Sequence, residues 1–376
     1  MKKTKKKQIK TAPQAPAPHY FASAGPTLVL IAVIACAATL IYSNTFRIPF
    51  QFDDQISILG NPAIKDVGNL KAIFLFSPTR FFTYGTFALN YYFTELNVFG
   101  YHIINLIIHI CASLLVMWFV TLTFATPAAK DTRPAAHKKS LAFLAALLFA
   151  VHPVQTQAVT YIVQRLASLA TLFYLLTMCL YIQGRLLQLS GTARKLSISL
   201  FCAAAVSAII GMFTKETVFT LPFAILLYEF CFFRSTFIYN WKFLVLVFTF
   251  CLLIPLIIFS TGSIDFDKLR AMQEGPDGIV YISPLEYFFT QFRVLITYLR
   301  LVILPVNQNL DYDYPVAHTF FNAQTLASFL ALLGFFAAGI WAFAKNRIIS
   351  FAIFWFLLTL SIESSFILVL LNFSSI

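Results

Sequence analysis

Charge is what this chain has least of. Only 11% of its residues are Asp, Glu, Lys or Arg, against about a quarter in soluble globular proteins, while 59% are hydrophobic. That balance rules out a disordered chain and stands against a soluble globular enzyme. Cysteine is scarce too. Six in 376 residues is too sparse for a disulfide-stapled secreted module. Cys36, Cys111, Cys179, Cys202, Cys231 and Cys251 all fall in apolar helical runs and form no CxxC, so neither a metal nor a redox motif is implied. Also missing are HExxH, GxSxG, Walker A and dinucleotide-binding glycine patterns, and any repeat of 20–50 residues. No basic groove interleaved with aromatics is present, so nucleic acid is not an expected partner.

What is there points to a membrane. Mean hydropathy is +0.79, and the 43 Phe and 16 Tyr suit lipid-facing helices with aromatic interfacial belts. The expected fold class is an all-α polytopic membrane protein, a bundle of about nine to ten transmembrane helices with large outer loops. Lys2, Lys3, Lys5, Lys6, Lys7 and Lys10 precede a Pro/Ala-rich stretch, which reads as a basic cytoplasmic tail over residues 1–24. The apolar run Gly25–Ser43 is long enough to cross a bilayer, and longer than the h-region of a cleaved signal. Further runs follow at Tyr101–Phe124, Leu141–Val151, Val154–Ile182, Leu196–Phe213, Val218–Phe233, Phe243–Ser260, Leu326–Ala344 and Ile348–Leu371. Residues 25–376 form one transmembrane domain on this reading, with a first outer loop at 45–100 and a second at 261–324.

The segment Tyr287–Leu304 is ambiguous. Arg293 and Arg300 lie seven residues apart, two helical turns and so one face, which makes a lipid-immersed span costly. The positive-inside rule favours an interfacial or re-entrant amphipathic helix. With that choice 17 of the 27 Lys and Arg fall on the tail side, and 13 of the 15 acids on the other. The long loops lie on the acidic side, so the outer face is the expected working face.

Asp53 and Asp54 follow the first span within about ten residues. Adjacent carboxylates there have three readings: a helix cap or solvated turn, a site for a divalent metal with oxygen ligands, or a general base. The expected topology brings His152, Arg165, Lys215, Glu216, Arg293 and Arg300 to the same face. Carboxylates and cations at a lipid surface suit a lipid-linked phosphate donor, with cations clamping the phosphate and a carboxylate deprotonating the acceptor. Each residue also has a plainer reading: His152 as a helix terminus, Lys215-Glu216 as a local ion pair, the two arginines as snorkelling to headgroups. Arg165, inside an apolar helix, needs a partner. Asp311 and Asp313 alternate with Tyr, and fit sugar or metal binding, or a turn before Pro315.

At these residues the chain resembles a known family. The stretches Phe52-Asp-Asp…Asn61-Pro62, Thr79-Arg80-Phe-Phe-Thr-Tyr…Asn90-Tyr91, Gly100-Tyr-His102…Asn105-Leu…His109, His152-Pro-Val-Gln-Thr-Gln157…Gln-Arg165 and Thr214-Lys-Glu216-Thr are similar, in order, to the membrane part of the transmembrane-and-tetratricopeptide-repeat O-mannosyltransferases and their bacterial relatives, within the GT-C glycosyltransferases. The resemblance implies an enzyme that moves a sugar from a polyprenyl-phosphate sugar to a protein or glycan acceptor on the outer face. It implies catalytic or metal-proximal roles for Asp53 and Asp54, with Glu216 beside them. Arg165, Lys215 and Arg300 become donor-phosphate contacts, and Arg80, His152, Asp311 and Asp313 substrate-binding candidates. A divalent metal, if used, falls to Asp53 and Asp54. Three departures stand out. Gln157 replaces a Glu usual in eukaryotic members, the repeats are missing, and after Ile362-Glu363 an apolar stretch ends the chain, which reads as a truncation. The short tail points to a bacterial inner membrane with a cytoplasmic N-terminus. The alternatives are a non-enzymatic transporter or flippase for lipid-linked sugars, and an inactive remnant.

Overall fold

The computed structural model describes residues 24–233, 249, 282–310, 312 and 314–364. The basic tail, the expected span at 243–260 apart from residue 249, residues 261–281 of the second outer loop, Asp311, Asp313 and the chain after Ser364 lie outside the described residues. Among the described residues every regular element is helical. Seven stretches are long and apolar enough to cross a membrane: Thr27–Arg47, Val98–Thr123, Arg133–Val151, Ile162–Ser190, Arg194–Met212, Glu216–Phe233 and Ala323–Lys345. The chain is a polytopic all-α membrane protein.

In chain order the helices are α1 (Ala24–Tyr42), α2 (Leu70–Phe76), α3 (Phe81–Thr94), α4 (Val98–Thr123), α5 (Lys138–Val151), α6 (Thr156–Thr160), α7 (Arg165–Ser190), α8 (Arg194–Met212), α9 (Leu221–Tyr228), α10 (Pro284–Ile303), α11 (Ala323–Lys345) and α12 (Arg347–Leu360). Large side chains such as Leu28 and Leu40 on α1, Ile198 and Val206 on α8, and Ile340 and Trp341 on α11 are exposed. In a soluble protein such a surface would aggregate, whereas here it suits hydrocarbon.

Helix packing follows the sequence closely. Gly191, at φ +69°, ends α7, and its N–H reaches the carbonyls of Leu187 and Gln188. Only a residue without Cβ takes that left-handed cap without strain, so α8 folds straight back along α7. On α11 a Cβ at Gly339 would come within 2.9 Å of Ile353 Cγ2, and Ser350 Oγ donates to Gly339 O at 2.9 Å. The small residue is what lets α11 and α12 touch. Between α7 and the turn after α9, Arg185 and Tyr181 grip the fully buried Glu229: Arg185 Nε to Oε1 at 2.6 Å, Nη2 to Oε2 at 3.1 Å, and Tyr181 Oη to Oε1 at 2.9 Å. Hydropathy alone assigns Arg185 and Glu229 to the tail-side loop charges. They are instead a buried pair that joins two helices.

These packings sort the connections into two ends. The loops after α1, α5, α8 and α12 share one end, tied by Phe82 N–H to Phe213 O at 2.8 Å and by Lys215 Nζ to Glu363 Oε1. The turns after α4, α9 and α11 share the other, tied by Ala128 N–H to Phe232 O at 3.1 Å and Arg347 Nη1 to Phe230 O at 3.2 Å.

One helix differs from expectation, and an ambiguous one takes its favoured form. The run expected as one helix from Val154 is broken into a 3-10 turn (Pro153–Gln155), α6, and a second 3-10 turn (Ile162–Gln164), with Tyr161 extended between them. Arg165 therefore starts α7 rather than lying within it. A run of Gln and Thr side chains there leaves little apolar face to hold a straight helix against its neighbours. The ambiguous segment is α10, a single amphipathic helix that falls outside the seven spanning stretches. It opens on a full capping box, with Ser283 Oγ accepting from Glu286 N–H at 3.3 Å and Glu286 Oε2 accepting from Ser283 N–H at 3.0 Å. Replacing a capping Ser with Ala costs about 1 kcal/mol. Ser283→Ala should therefore speed hydrogen exchange of the first-turn amides of α10 about fivefold, and an unchanged rate would show that the cap does not hold this turn.

Candidate functional site

The chain leaves α1 through a 3-10 turn (Ser43–Arg47) and reaches the acid pair. Phe52 sits at φ +44°, a left-handed conformation that costs a bulky residue about 1–3 kcal/mol. That twist gives two neighbouring carboxylates opposite surroundings. Asp54 is 1% exposed. Its Oδ2 accepts from Gln51 N–H at 2.9 Å and its Oδ1 from Val163 N–H at 2.8 Å. Burial pushes its pKa up to about 6, against the pull of those two backbone donors. Asp53 is exposed, and its N–H donates to Tyr161 Oη at 2.8 Å. The two acids are thus distinct. Asp54 fastens the loop to the entry of α7, and Asp53 presents its carboxylate at the surface. Neither caps the following π turn through its side chain.

Arg165 is the largest fully buried side chain. Its Nε donates to Asn105 Oδ1 at 2.7 Å, Nη2 to Tyr101 O at 3.0 Å and Nη1 to Thr86 O at 3.4 Å. The guanidinium lies 4.5 Å from the Phe87 ring centroid and 5.6 Å from that of Tyr101. The partner the sequence required is therefore an amide on α4 plus two carbonyls and two rings. Expected as a donor-phosphate contact, Arg165 is enclosed and its donors are engaged. It supports the site from behind.

The turn carrying Lys215 is clasped onto the first loop and the start of α3. Phe82 N–H holds Phe213 O, Thr83 Oγ1 donates to Thr214 O at 3.2 Å, and Glu216 accepts from Thr79 Oγ1 at 2.7 Å and Arg80 Nε at 3.1 Å. Glu216 and Arg80, expected as catalytic and substrate-binding residues, are thus committed to each other. The side chain of Glu216 is 10% exposed and that of Arg80 20%. Between them they aim Lys215, whose Nζ meets Glu363 Oε1. His152 behaves as the helix terminus of its plainer reading: Nδ1 accepts from Val154 N–H and Nε2 faces Val302 O, both at 3.2 Å.

Two cavities open beside this platform. One, about 600 Å³, runs along α4, α7 and α12 between apolar side chains that include Phe119, Tyr174 and Phe351, and ends at Lys215. The other, about 920 Å³, is the more polar of the two, setting Gln155, Gln157, Gln291 and several Tyr side chains among apolar ones such as Val294 and Leu301. Both are within the size range of ligand pockets. They share Trp355, Thr359 and Glu363. Asp53 lines neither cavity, but Tyr161, which holds its N–H, belongs to a cluster packed with Leu310 of the second cavity's wall. Arg300, expected as a donor-phosphate contact, is exposed in the last turn of α10 and lines neither cavity.

The described residues bring no three metal-ligating side chains together. Both Asp54 oxygens are taken by backbone N–H groups. Sequence reasoning missed Tyr161, Asn105 and Glu363. Asn105 carried a signal, as a polar residue spaced three from His102 and four from His109 on an apolar helix. Glu363 is separated from Lys215 by 148 residues, and no local pattern joins them.

No protein-family model matches the chain, and no solved structure matches it. Related sequences are known. The chain is 34% identical over 164 residues to protein O-mannosyl-transferase TMTC1 of Mus musculus, a match covering 40% of this chain and 16% of that protein. It is 31% identical over 172 residues to protein O-mannosyl-transferase TMTC3 of Mus musculus, covering 42% and 17%. Against protein O-mannosyl-transferase F38B6.6 of Caenorhabditis elegans it is 28% identical over 295 residues, covering 70% and 36%. The chain thus matches only a minor part of each relative's length. By its helical membrane fold and these identities, the chain is a distant homologue of proteins named protein O-mannosyl-transferases.

Proposed function

We propose that this protein is a membrane glycosyltransferase that moves a sugar from a polyprenyl-phosphate sugar to a hydroxyl of a protein or glycan acceptor. The observation that carries the reading is the meeting of an apolar cavity and a more polar one at Trp355, Thr359 and Glu363, where Glu363 holds Lys215 at the end of the apolar cavity. The exposed carboxylate of Asp53 is tied to the same end of the protein through Tyr161. A polyprenyl tail suits the first, a sugar with its many hydroxyls the second, and a phosphate the ammonium between them. The relatives' names support the reaction class. The GT-C type, the polyprenyl carrier and a reaction face across the membrane from a basic tail belong to the same proposal.

The chemistry is a single displacement. An acceptor O–H attacks the anomeric carbon and its proton passes to the Asp53 carboxylate. The bond from that carbon to the phosphate oxygen breaks, its electron pair leaves with the polyprenyl phosphate, and Lys215 offsets the charge that grows there. Tyr161 fixes Asp53 through its backbone N–H, and Phe52 supplies the twist that exposes it. Asp54, Arg165, Glu216 and Arg80 position these groups without touching substrate.

Lys215→Ala tests the donor assignment. A charge-assisted contact to phosphate is worth about 1.5–3 kcal/mol, so donor affinity should fall at least tenfold. The measurement is titration of the full chain in nanodiscs with a polyprenyl-phosphate sugar. Affinity equal to wild type would remove Lys215 from the donor site.

A further inference from the structure

Lys215 is not free to receive a phosphate. Its ammonium already holds the carboxylate of Glu363, with the two side chains 20% and 33% exposed. Glu363 is set from a second side as well, since its backbone carbonyl accepts from Tyr287 Oη of α10 at 2.8 Å. It lines both cavities, and among the described lining residues it is the single carboxylate in either. The apolar cavity therefore ends on a cation whose anion the protein itself supplies.

We propose that Glu363 is a selectivity residue for the donor: it occupies the phosphate's place on Lys215 and yields only to a ligand that brings its own anion. The inference rests on the polyprenyl-phosphate donor proposed for this site. An uncharged lipid that filled the apolar cavity would have to part Lys215 from Glu363 and leave both unpaired beside Phe and Trp side chains, which is unfavourable. A lipid phosphate replaces one ion pair by another. The released carboxylate then turns to the polar cavity, which it already borders, so no charge is stranded in an apolar wall. Tyr287 links the exchange to α10, the other wall of that cavity.

The test compares wild type, Glu363→Gln, Glu363→Asp, Lys215→Ala and the Lys215→Ala/Glu363→Gln pair, each as the full chain in nanodiscs. Polyprenyl monophosphate and uncharged polyprenol of the same length are the probes. Partly exposed ion pairs contribute up to about 1 kcal/mol, so removing the competing charge in Glu363→Gln should tighten phosphate binding about three- to fivefold. In Glu363→Gln polyprenol no longer has an ion pair to break or a carboxylate to strand, so its affinity should rise by more than that of the phosphate and the preference for phosphate should narrow. Glu363→Asp, which keeps the charge, should stay within about twofold of wild type on both probes. With Lys215 absent, Glu363→Gln should have no further effect, the signature of a shared interaction in a double-mutant cycle. Wild type that binds the phosphate while Glu363→Gln binds it no more tightly overturns the selectivity role and leaves the donor reading standing. Phosphate binding by neither, from protein that elutes as one folded species, overturns both.

Discussion

Asp53→Asn abolishes sugar transfer while the protein still accumulates and folds as wild type. The expected loss is about 10²–10⁴-fold in kcat, the contribution of a positioned general base. Asparagine matches the carboxylate in size but cannot take the acceptor's proton. Because the side chain is exposed and its neighbour Tyr161 also holds the backbone N–H, an isosteric amide leaves the packing in place. Donor affinity should be unchanged, since the proposed phosphate site is Lys215, and the defect should appear in turnover alone. Asp54→Asn contrasts with this. Its carboxylate holds Gln51 and Val163, and an amide can satisfy one backbone N–H but turns its own NH₂ toward the other. The expected result is a looser first loop, with lower thermal stability and partial activity. Activity assays with unfolding curves on both variants check the division. Equal loss of activity with equal stability would mean that the two acids act as one unit.

The largest effect on folding is expected at Arg165. Truncation to Ala leaves Asn105 Oδ1 and the Tyr101 carbonyl without their donor in a closed interior, each worth about 1–3 kcal/mol, and opens a cavity between Phe87 and Tyr101. A destabilisation of about 3–5 kcal/mol follows, read as loss of the monodisperse species in detergent or a large fall in the unfolding temperature. Lys does not rescue it, because one ammonium cannot reach an amide and two carbonyls as a planar fork does. A stable Arg165→Ala protein that had lost only donor binding would return Arg165 to the donor site and contradict its role as a buried support.

Much of the fold was legible in the sequence. Lipid demands that long apolar stretches close their own hydrogen bonds, so hydropathy alone placed α1, α4, α5, α8 and α11 to within a few residues. The Arg293/Arg300 face likewise marked α10 as amphipathic. What hydropathy could not give was partnership. Periodicity says which face of a helix is buried but not which neighbour it meets, so Arg165 with Asn105, Arg185 with Glu229 and Lys215 with Glu363 were invisible as pairs. The break before α7 was hidden because Val154, Val159 and Ile162 continue the apolar count while Gln and Thr between them interrupt the face. Asp53 and Asp54 were indistinguishable in sequence. One left-handed residue, Phe52, separates their environments, and nothing about a Phe announces that conformation. At the candidate site the residue types pointed to lipid-phosphate chemistry, while the assignment of support and contact came from burial. Arg165 and Glu216 are buried and Arg80 is tied to Glu216, whereas Asp53 is exposed and Lys215, paired with Glu363, borders the apolar cavity.

In the proposed donor complex a lipid phosphate lies with its tail along α4, α7 and α12 and its head at Lys215. Photo-crosslinking tests this most directly, using a polyprenyl-phosphate sugar with a diazirine in the tail and the full chain in nanodiscs, followed by mapping of the labelled peptides. A tail seated in the apolar cavity predicts labelling concentrated on the segments around Phe119, Tyr174 and Trp355, competed away by unlabelled donor and lost in Lys215→Ala. Labelling spread over the exposed apolar faces of α1, α8 and α11, and unaffected by competitor, would contradict it.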